Sequence, residues 1–222
     1  PTMPVEDMAD ISHLGYQNGF QVGIHAIGDR ANREVLDVFD ELFDGRDRGV
    51  RFRIEHAQHI DPIDIPRFGQ LGVIASMQGI HLSSDRPWAI KRLGQQRIEQ
   101  GAYVWRALID SGAVLINGTD APVEPVNAIA SFYALVSRKT LAGTPDAGYE
   151  PGQRLTRFEA LRSYTSDAAY GAFEEGFKGS LEPGKVADFV VLDRDILKIA
   201  EQQILTTTVL KTIVGGQLIY EK

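Results

Sequence analysis

Side chains able to bind a metal or move a proton follow the apolar runs of this sequence. Five of them stand where such runs end: His25, His56, Gln78, His81 and Asp120. Three imidazoles and a carboxylate make a nitrogen and oxygen ligand set that suits a borderline divalent ion such as Zn2+. An aspartate beside such an ion can accept a proton from a water whose pKa the ion has lowered. The residue types therefore favour metal-assisted chemistry on water.

Strands and helices must alternate to bring these residues together. The predicted strands are 19–26, 50–57, 72–77 and 113–118, and the predicted helices are 29–43, 62–71, 101–111, 127–138 and 157–170. Such alternation is typical of a parallel sheet. Parallel βα architectures carry their chemistry at the carboxyl ends of the strands. We therefore expect the five side chains to share one rim of an α/β fold.

A long polar stretch separates the third predicted strand from the next predicted helix. Residues 78–100 are predicted to form an active-site loop, because so long a loop is uncommon in a compact domain unless it serves a function. Arg86 and Trp88 belong to this stretch and could line a substrate pocket. Packing at the protein surface is the ordinary alternative for both.

The end of the chain has a different pattern. From Gly176 it reads as a small β domain, with a buried strand at 187–192 and a hairpin at 209–220. We therefore predict one domain at 1–175, which carries the candidate site, and a second at 176–222.

Each candidate residue also has a purely structural alternative. Asp120 could be a turn residue or a helix cap. Asp29, four residues after His25, could orient that imidazole or cap the helix that it begins. The spacing of His56 and His59 proves little, because the two residues span a strand end. The prediction therefore depends on the set of residues and not on one of them.

The composition argues against several classes of protein. The 222 residues are 43% hydrophobic, and a formal net charge of −7 without a dense basic stripe argues against a nucleic-acid partner. The absence of cysteine excludes disulfides and thiolate metal sites. No apolar run is long enough to span a membrane, and no signal-peptide pattern opens the chain. We expect a cytoplasmic location, with a signal peptide upstream of residue 1 as the alternative.

Five motifs occur in an order that resembles a known family. They are H-A-I-G-D-R-A-N, R-I-E-H-A-Q, A-S-M-Q-x-x-H-x-x-x-D, G-T-D-A-P-V-E-P and G-S-L-E-P-G-K-V-A-D-F-V-V-L-D. Together they resemble the C-terminal half of an amidohydrolase of the amidohydrolase family 3 type, a group that includes N-substituted formamide deformylases. The resemblance runs from about Glu6 to Tyr220.

The resemblance implies a distorted (β/α)8 barrel with a small β-sandwich. This chain would supply barrel strands five to eight and the C-terminal part of the sandwich. His25 and His56 would be metal ligands on strands five and six. Asp120, on strand eight, would bind metal and shuttle a proton, while His81 would face the substrate. The implied cofactor is one or two divalent ions, with Zn2+ as the expected metal.

Two departures from the family stand out. The family usually has proline after S-M-Q, whereas this chain has Gly79. The family's H-x-H pair on strand one and its strand-four lysine have no counterpart here. We therefore expect that residue 1 is not the natural N-terminus, and that the other barrel half comes from the same polypeptide or from a second fragment. Pairing with another copy, as a homo-oligomer, is the alternative.

The implied activity is hydrolysis of amide-type carbon–nitrogen bonds in a small molecule. Asp120 would carry the proton and His81 would polarise the substrate carbonyl. Gln78, Arg86 and Trp88 are further candidates for contact with substrate. A deaminase or isomerase on the same scaffold is one alternative, and a non-catalytic fragment or assembly subunit is another.

Overall fold

The computed structural model describes residues 3–222, which divide into two compact units. One unit contains the chain up to Met77 together with Asp85–Leu115, and the other contains Gln78–Ser84 together with Ile116–Lys222. No helix of the described residues is long and apolar enough to cross a membrane.

The first half of the chain alternates helices and strands. The elements in order are α1 (Val5–Gln17), β1 (Gly23–Ala26), α2 (Asp29–Phe43), β2 (Arg53–His56), α3 (Ile65–Leu71), β3 (Ile74–Met77), α4 (Ile80–Leu93), α5 (Gln95–Gly101), α6 (Trp105–Asp110) and β4 (Leu115–Asn117). The strands form one sheet in the order β1-β2-β3-β4. β1 pairs parallel with β2, and β2 pairs parallel with β3. The predicted α/β class with a parallel sheet is confirmed.

An aromatic cluster forms much of the core of the first unit. Phe39 and Phe43, one helical turn apart on α2, contact Phe52 with ring centroids 5.2 and 5.3 Å away. All three side chains are essentially buried. The apolar stripe of α2 therefore packs against the residue that leads into β2, which fixes the strand that ends at His56.

The second unit contains the remaining helices and an antiparallel sheet. Its elements are α7 (Ala128–Ser137), α8 (Arg157–Tyr164), α9 (Ser166–Gly171), β5 (Phe189–Leu192), β6 (Val209–Val214) and β7 (Gln217–Glu221), with 3-10 helices at Pro151–Gln153 and Glu201–Thr206. α7 is buried from Ala130 to its end, as its apolar sequence requires. α8 begins with a capping box between Thr156 and Glu159.

The sequence expectations were wrong in three places. Residues 78–100 are mostly the helices α4 and α5, not a loop. The buried face of α4 includes the polar residues Ser83 and Arg86, so its helical period is hidden in a polar composition. The predicted helix at 157–170 is broken at Thr165, and β5 is not buried, because Val190 is 53% exposed.

Candidate functional site

His25 and His56 contact each other in the first unit. His25 lies in β1 and His56 is the last residue of β2. Their rings pack edge to face, with centroids 4.4 Å apart and planes at 69°. Two imidazoles this close present nitrogen donors to a single small region, which suits a borderline divalent ion.

The contact depends on an unusual backbone conformation at the end of β2. In the parallel register His25 lies opposite Glu55, whereas His56 lies opposite Ala26. Because successive side chains of a strand alternate between its faces, a regular strand would direct the two imidazoles to opposite faces. His56 instead has a left-handed φ of 75°, and Ala57 follows with a φ of 43°. The left-handed conformation ends the alternation where the imidazoles meet.

Hydrogen bonds hold the chain immediately after this left-handed pair. The Tyr103 N–H donates to the Gln58 carbonyl over 2.9 Å, and the Gln58 side-chain amide donates to the Tyr103 hydroxyl over 2.8 Å. The His59 N–H donates to the carbonyl of Ile27 over 2.9 Å. Left-handed non-glycine residues cost about 1–3 kcal/mol each and persist only where surrounding structure fixes them. These bonds supply that restraint.

His81 and Asp120 form a second pair, which lies in the second unit. His81 is in the first turn of α4 and is 6% exposed. Its Nε2 lies 3.9 Å from Asp120 Oδ2. That separation is too long for a hydrogen bond but short enough for the two groups to interact electrostatically. Asp120 also has a left-handed backbone, with a φ of 59°.

His59, the second histidine of H-A-Q-H, is a buried neutral group. Burial lowers its pKa to about 4, even though the nearby carboxylates of Asp29 and Asp85 oppose that shift. Its Nδ1 is buried and has no hydrogen-bond partner in the described part of the chain. His59 therefore carries no charge at neutral pH.

The remaining predicted residues occupy different environments. Asp29 begins α2 and pairs with Arg97. Burial by itself would raise the Asp29 pKa, but hydrogen bonds from Arg97 and the Arg30 N–H lower it below its ordinary value. Arg86 is buried, Gln78 is half-buried and Trp88 is 52% exposed. Their predicted roles toward a substrate stay predictions.

A polar network beside His81 in the second unit was not predicted from the sequence. The Gly79 N–H donates to Asn117 Oδ1 over 3.0 Å, and the Tyr164 hydroxyl lies 3.1 Å from the same oxygen. The Ile80 N–H donates to Ser131 Oγ over 3.1 Å. Burial raises the pKa of Tyr164 to about 12, so the phenol stays protonated. The one sequence signal for this network was Gly79 in place of the usual proline.

The histidine pair fits a metal by its donor chemistry. Neutral imidazole is a common ligand of zinc and of other borderline ions. Among residues 3–222, no group of three or more histidines and carboxylates is gathered closely enough to hold an ion. Among the predicted metal ligands His25, His56 and Asp120, the two histidines are thus the residues whose side chains contact each other.

Comparison with known proteins gives a consistent result. The sequence model of the amidohydrolase family matches residues 1–220. The chain is 37% identical over 219 residues to Protein LONG AFTER FAR-RED 3 of Arabidopsis thaliana, which covers 98% of this chain and 37% of that protein. It is 28% identical over 217 residues to N-substituted formamide deformylase of Arthrobacter pascens, covering 97% and 39% of the two chains.

A solved structure shares the fold. An uncharacterized metal-dependent hydrolase from Pyrococcus horikoshii aligns with a TM-score of 0.76 and 33% identity, over 90% of this chain and 39% of that one. The chain therefore spans about two fifths of the length of these proteins.

Proposed function

Because the chain belongs to the amidohydrolase family, we propose that it supplies active-site residues to a metal-dependent hydrolase of amide-type carbon–nitrogen bonds in small molecules. The observation that carries the proposal is the edge-to-face pair of His25 and His56, formed by a left-handed residue at the end of a parallel strand. Strained backbone of this kind is concentrated at functional sites.

We propose that β1 to β4 correspond to strands five to eight of a (β/α)8 barrel. The parallel pairing of β1 to β3 and the alternation of strands with helices support this assignment. Residues 176–222 would be the C-terminal part of a β-sandwich, which is consistent with the antiparallel sheet of β5, β6 and β7.

His25 and His56 would hold a divalent ion, and Asp120 would keep the metal-ligand role that the family resemblance implies. The ion expected from this donor set is Zn2+. When bound, such an ion polarises a carbonyl oxygen and lowers the pKa of water. The histidines contribute as neutral imidazoles, and the hydrogen bonds after Ala57 keep His56 in its orientation.

Asp120 would transfer the proton, and His81 would polarise the substrate carbonyl. The Asp120 carboxylate would take one proton from water as the water oxygen bonds to the substrate carbonyl carbon. It would then deliver that proton to the nitrogen as the carbon–nitrogen bond breaks. His81 Nε2, 3.9 Å from Asp120 Oδ2, would donate a hydrogen bond to the carbonyl oxygen. Gln78, Arg86 and Trp88 would contact the rest of the substrate, and Asp29 would support His25.

The variant Asp120→Asn tests the proposal in the full-length, zinc-loaded protein. Zinc per chain is measured by mass spectrometry, and hydrolysis of a series of N-substituted formamides is followed by formate release. We expect the wild type to hydrolyse some of these amides, and Asp120→Asn to keep most of its zinc while turnover falls by more than about 100-fold. Asp110→Asn, which changes a mostly exposed carboxylate at the end of α6, is the control and should retain activity.

Two results would contradict the proposal. Wild-type turnover by Asp120→Asn would remove the proton role of Asp120. A zinc-loaded wild type that hydrolyses no amide in the series would reject amide hydrolysis as the reaction.

A further inference from the structure

The turn that precedes His81 packs closely against α7. A Cβ added to Gly79 would lie 2.6 Å from Leu135 Cγ and 3.0 Å from the Ser131 carbonyl oxygen. Gly79 does not have a left-handed φ, so the close approach, and not backbone conformation, accounts for a glycine here. Its N–H donates to Asn117 Oδ1 over 3.0 Å. Proline, the usual residue of the family at this position, has no N–H and could not make this bond.

The hydrogen bonds of the network have one consistent direction. Because the Gly79 N–H can only donate, the Asn117 atom that it meets is the oxygen. The Tyr164 hydroxyl, 3.1 Å from that oxygen, therefore donates to it as well. Burial raises the pKa of Tyr164, and the neighbouring Ser131 side chain opposes this shift only weakly. Ser131 Oγ in turn accepts the Ile80 N–H over 3.1 Å.

Two consecutive backbone N–H groups, those of Gly79 and Ile80, are thus bound by side chains just before His81. The Asn117 side chain also stands three residues before Asp120 at the end of β4. The same asparagine therefore connects the segments that carry both members of the 3.9 Å pair.

Asn117 is a poor choice for stability alone. Its Nδ2 is buried and has no hydrogen-bond partner among residues 3–222. A buried donor left without a partner costs stability, and this cost offsets part of what the two bonds accepted by Asn117 Oδ1 contribute. A role in positioning gives this asparagine a reason to be present.

We infer that Asn117, Tyr164 and Ser131 are positioning residues that hold His81 opposite Asp120, and that Gly79 is required because its N–H completes their network. The inference rests on the proposed function for the roles of His81 and Asp120. Asn117, Tyr164 and Ser131 would act through the backbone of the turn and would not touch the substrate.

Tyr164→Phe is the first test, since it removes one hydroxyl and leaves the ring in place. Tyr133→Phe removes the hydroxyl of another buried tyrosine in the same unit and is the matched control. The measurements are the His81 Nε2 to Asp120 Oδ2 distance in crystal structures, the melting temperature, and kcat and KM for amide hydrolysis. We expect Tyr164→Phe to change the distance and lower kcat about tenfold, while its melting temperature matches that of the control. Equal distances and equal kcat in the two variants would overturn the inference.

A second pair of variants isolates the Gly79 N–H. Leu135→Ala removes the side chain that a Cβ at position 79 would strike. In that background Gly79→Ala keeps the N–H and Gly79→Pro removes it. We expect the alanine variant to retain the distance between His81 and Asp120 and the proline variant to lose it. If both variants keep the distance, or both lose it, the N–H is not what positions His81, and the inference fails.

The crystallographic distance separates this inference from the proposed function. If the wild-type protein hydrolyses no amide, the proposed function fails, but an altered distance in Tyr164→Phe alone still supports the positioning network. If the wild type is active and the distance is unchanged, the network inference fails alone.

Discussion

The imidazoles of His25 and His56 meet edge to face, with ring centroids 4.4 Å apart, across two neighbouring parallel strands. The strand register alone would place these side chains on opposite faces, because His25 is paired with Glu55. The left-handed conformation of His56 brings the rings together.

Each histidine of the pair should be needed for metal binding. Loss of a residue that merely supports a metal ligand lowers metal affinity by roughly 10–100-fold. We expect His25→Asn and His56→Asn each to lower zinc affinity by at least as much. Competition with a chromophoric chelator in the full-length protein measures the affinity. His13→Asn, at an exposed position of α1, is the control. Zinc affinity equal to that of the control in either variant would show that the pair is not a metal site.

His59 should make the fold sensitive to acid. Its pKa is lowered to about 4 in the folded protein, chiefly by burial, whereas a histidine in an unfolded chain titrates at about 6.5. Between these values the unfolded chain binds a proton that the folded chain does not, so stability falls as the pH falls through this window. The pKa difference corresponds to a loss of about 3 kcal/mol between pH 7 and pH 4.

Urea unfolding at pH 7 and pH 4 measures the His59 effect. We expect His59→Gln to lose less free energy of unfolding over this interval than the wild type does. The exposed-site variant His13→Gln should lose as much as the wild type. If His59→Gln loses as much free energy of unfolding between pH 7 and pH 4 as the wild type does, other groups are responsible for the acid sensitivity.

The buried Arg138 should depend on Glu150. The Arg138 side chain is fully buried, its Nη2 lies 3.3 Å from Glu150 Oε2, and its Nε donates to the Tyr149 carbonyl. Removing one partner of a buried ion pair leaves an uncompensated charge. We therefore expect Glu150→Ala to lower the free energy of unfolding by about 3 kcal/mol.

A surface ion pair provides the comparison for Glu150. Glu221 pairs with Lys211 across β7 and β6 over 2.8 Å, and both side chains are about half exposed. Glu221→Ala should cost less than about 1 kcal/mol. Similar urea midpoints for Glu150→Ala and Glu221→Ala would contradict the expectation that the buried ion pair contributes more to stability than the exposed one.

Gly69 should resist replacement by alanine, although it lies inside α3. An alanine usually stabilises a helix by about 1 kcal/mol relative to glycine. Here the added Cβ would collide with the backbone carbonyl of Ser111, so we expect Gly69→Ala to destabilise the protein by about 1–3 kcal/mol. Thermal unfolding measures the change, with Gly152→Ala as the control because open space surrounds Gly152. A stabilised Gly69→Ala would show that the backbone of Ser111 moves aside readily.

The strand–helix order and the strand-end residues could be predicted from the sequence, because both depend on local hydrophobic period. β1 to β3, α2 and the hairpin of β6 and β7 lie where the pattern placed them. α4 was missed because Arg86 lies on its buried face, and residue type alone does not reveal that a charged side chain is buried.

The site could be predicted only in part, for a related reason. His25 and His56 were identifiable as strand-end residues, but their contact depends on a left-handed φ that no local pattern at His56 announced. The Asn117 network joins residues that are 38 and 47 positions apart in the chain. Contacts of this kind arise from tertiary packing, so only the glycine in place of proline pointed to them.

The backbone is left-handed at His56, Ala57 and Asp120. A residue substituted at one of these positions must therefore accept a left-handed conformation before its side-chain chemistry can affect activity. Glycine and asparagine accept this conformation readily, whereas valine and isoleucine do not. In a saturation library, glycine or asparagine at His56 should therefore give folded but inactive clones, and valine or isoleucine should disappear with the unfolded ones. The substitutions that allow folding would thus report the backbone conformation at a strand end, and the substitutions that allow activity would report the chemistry of the side chain.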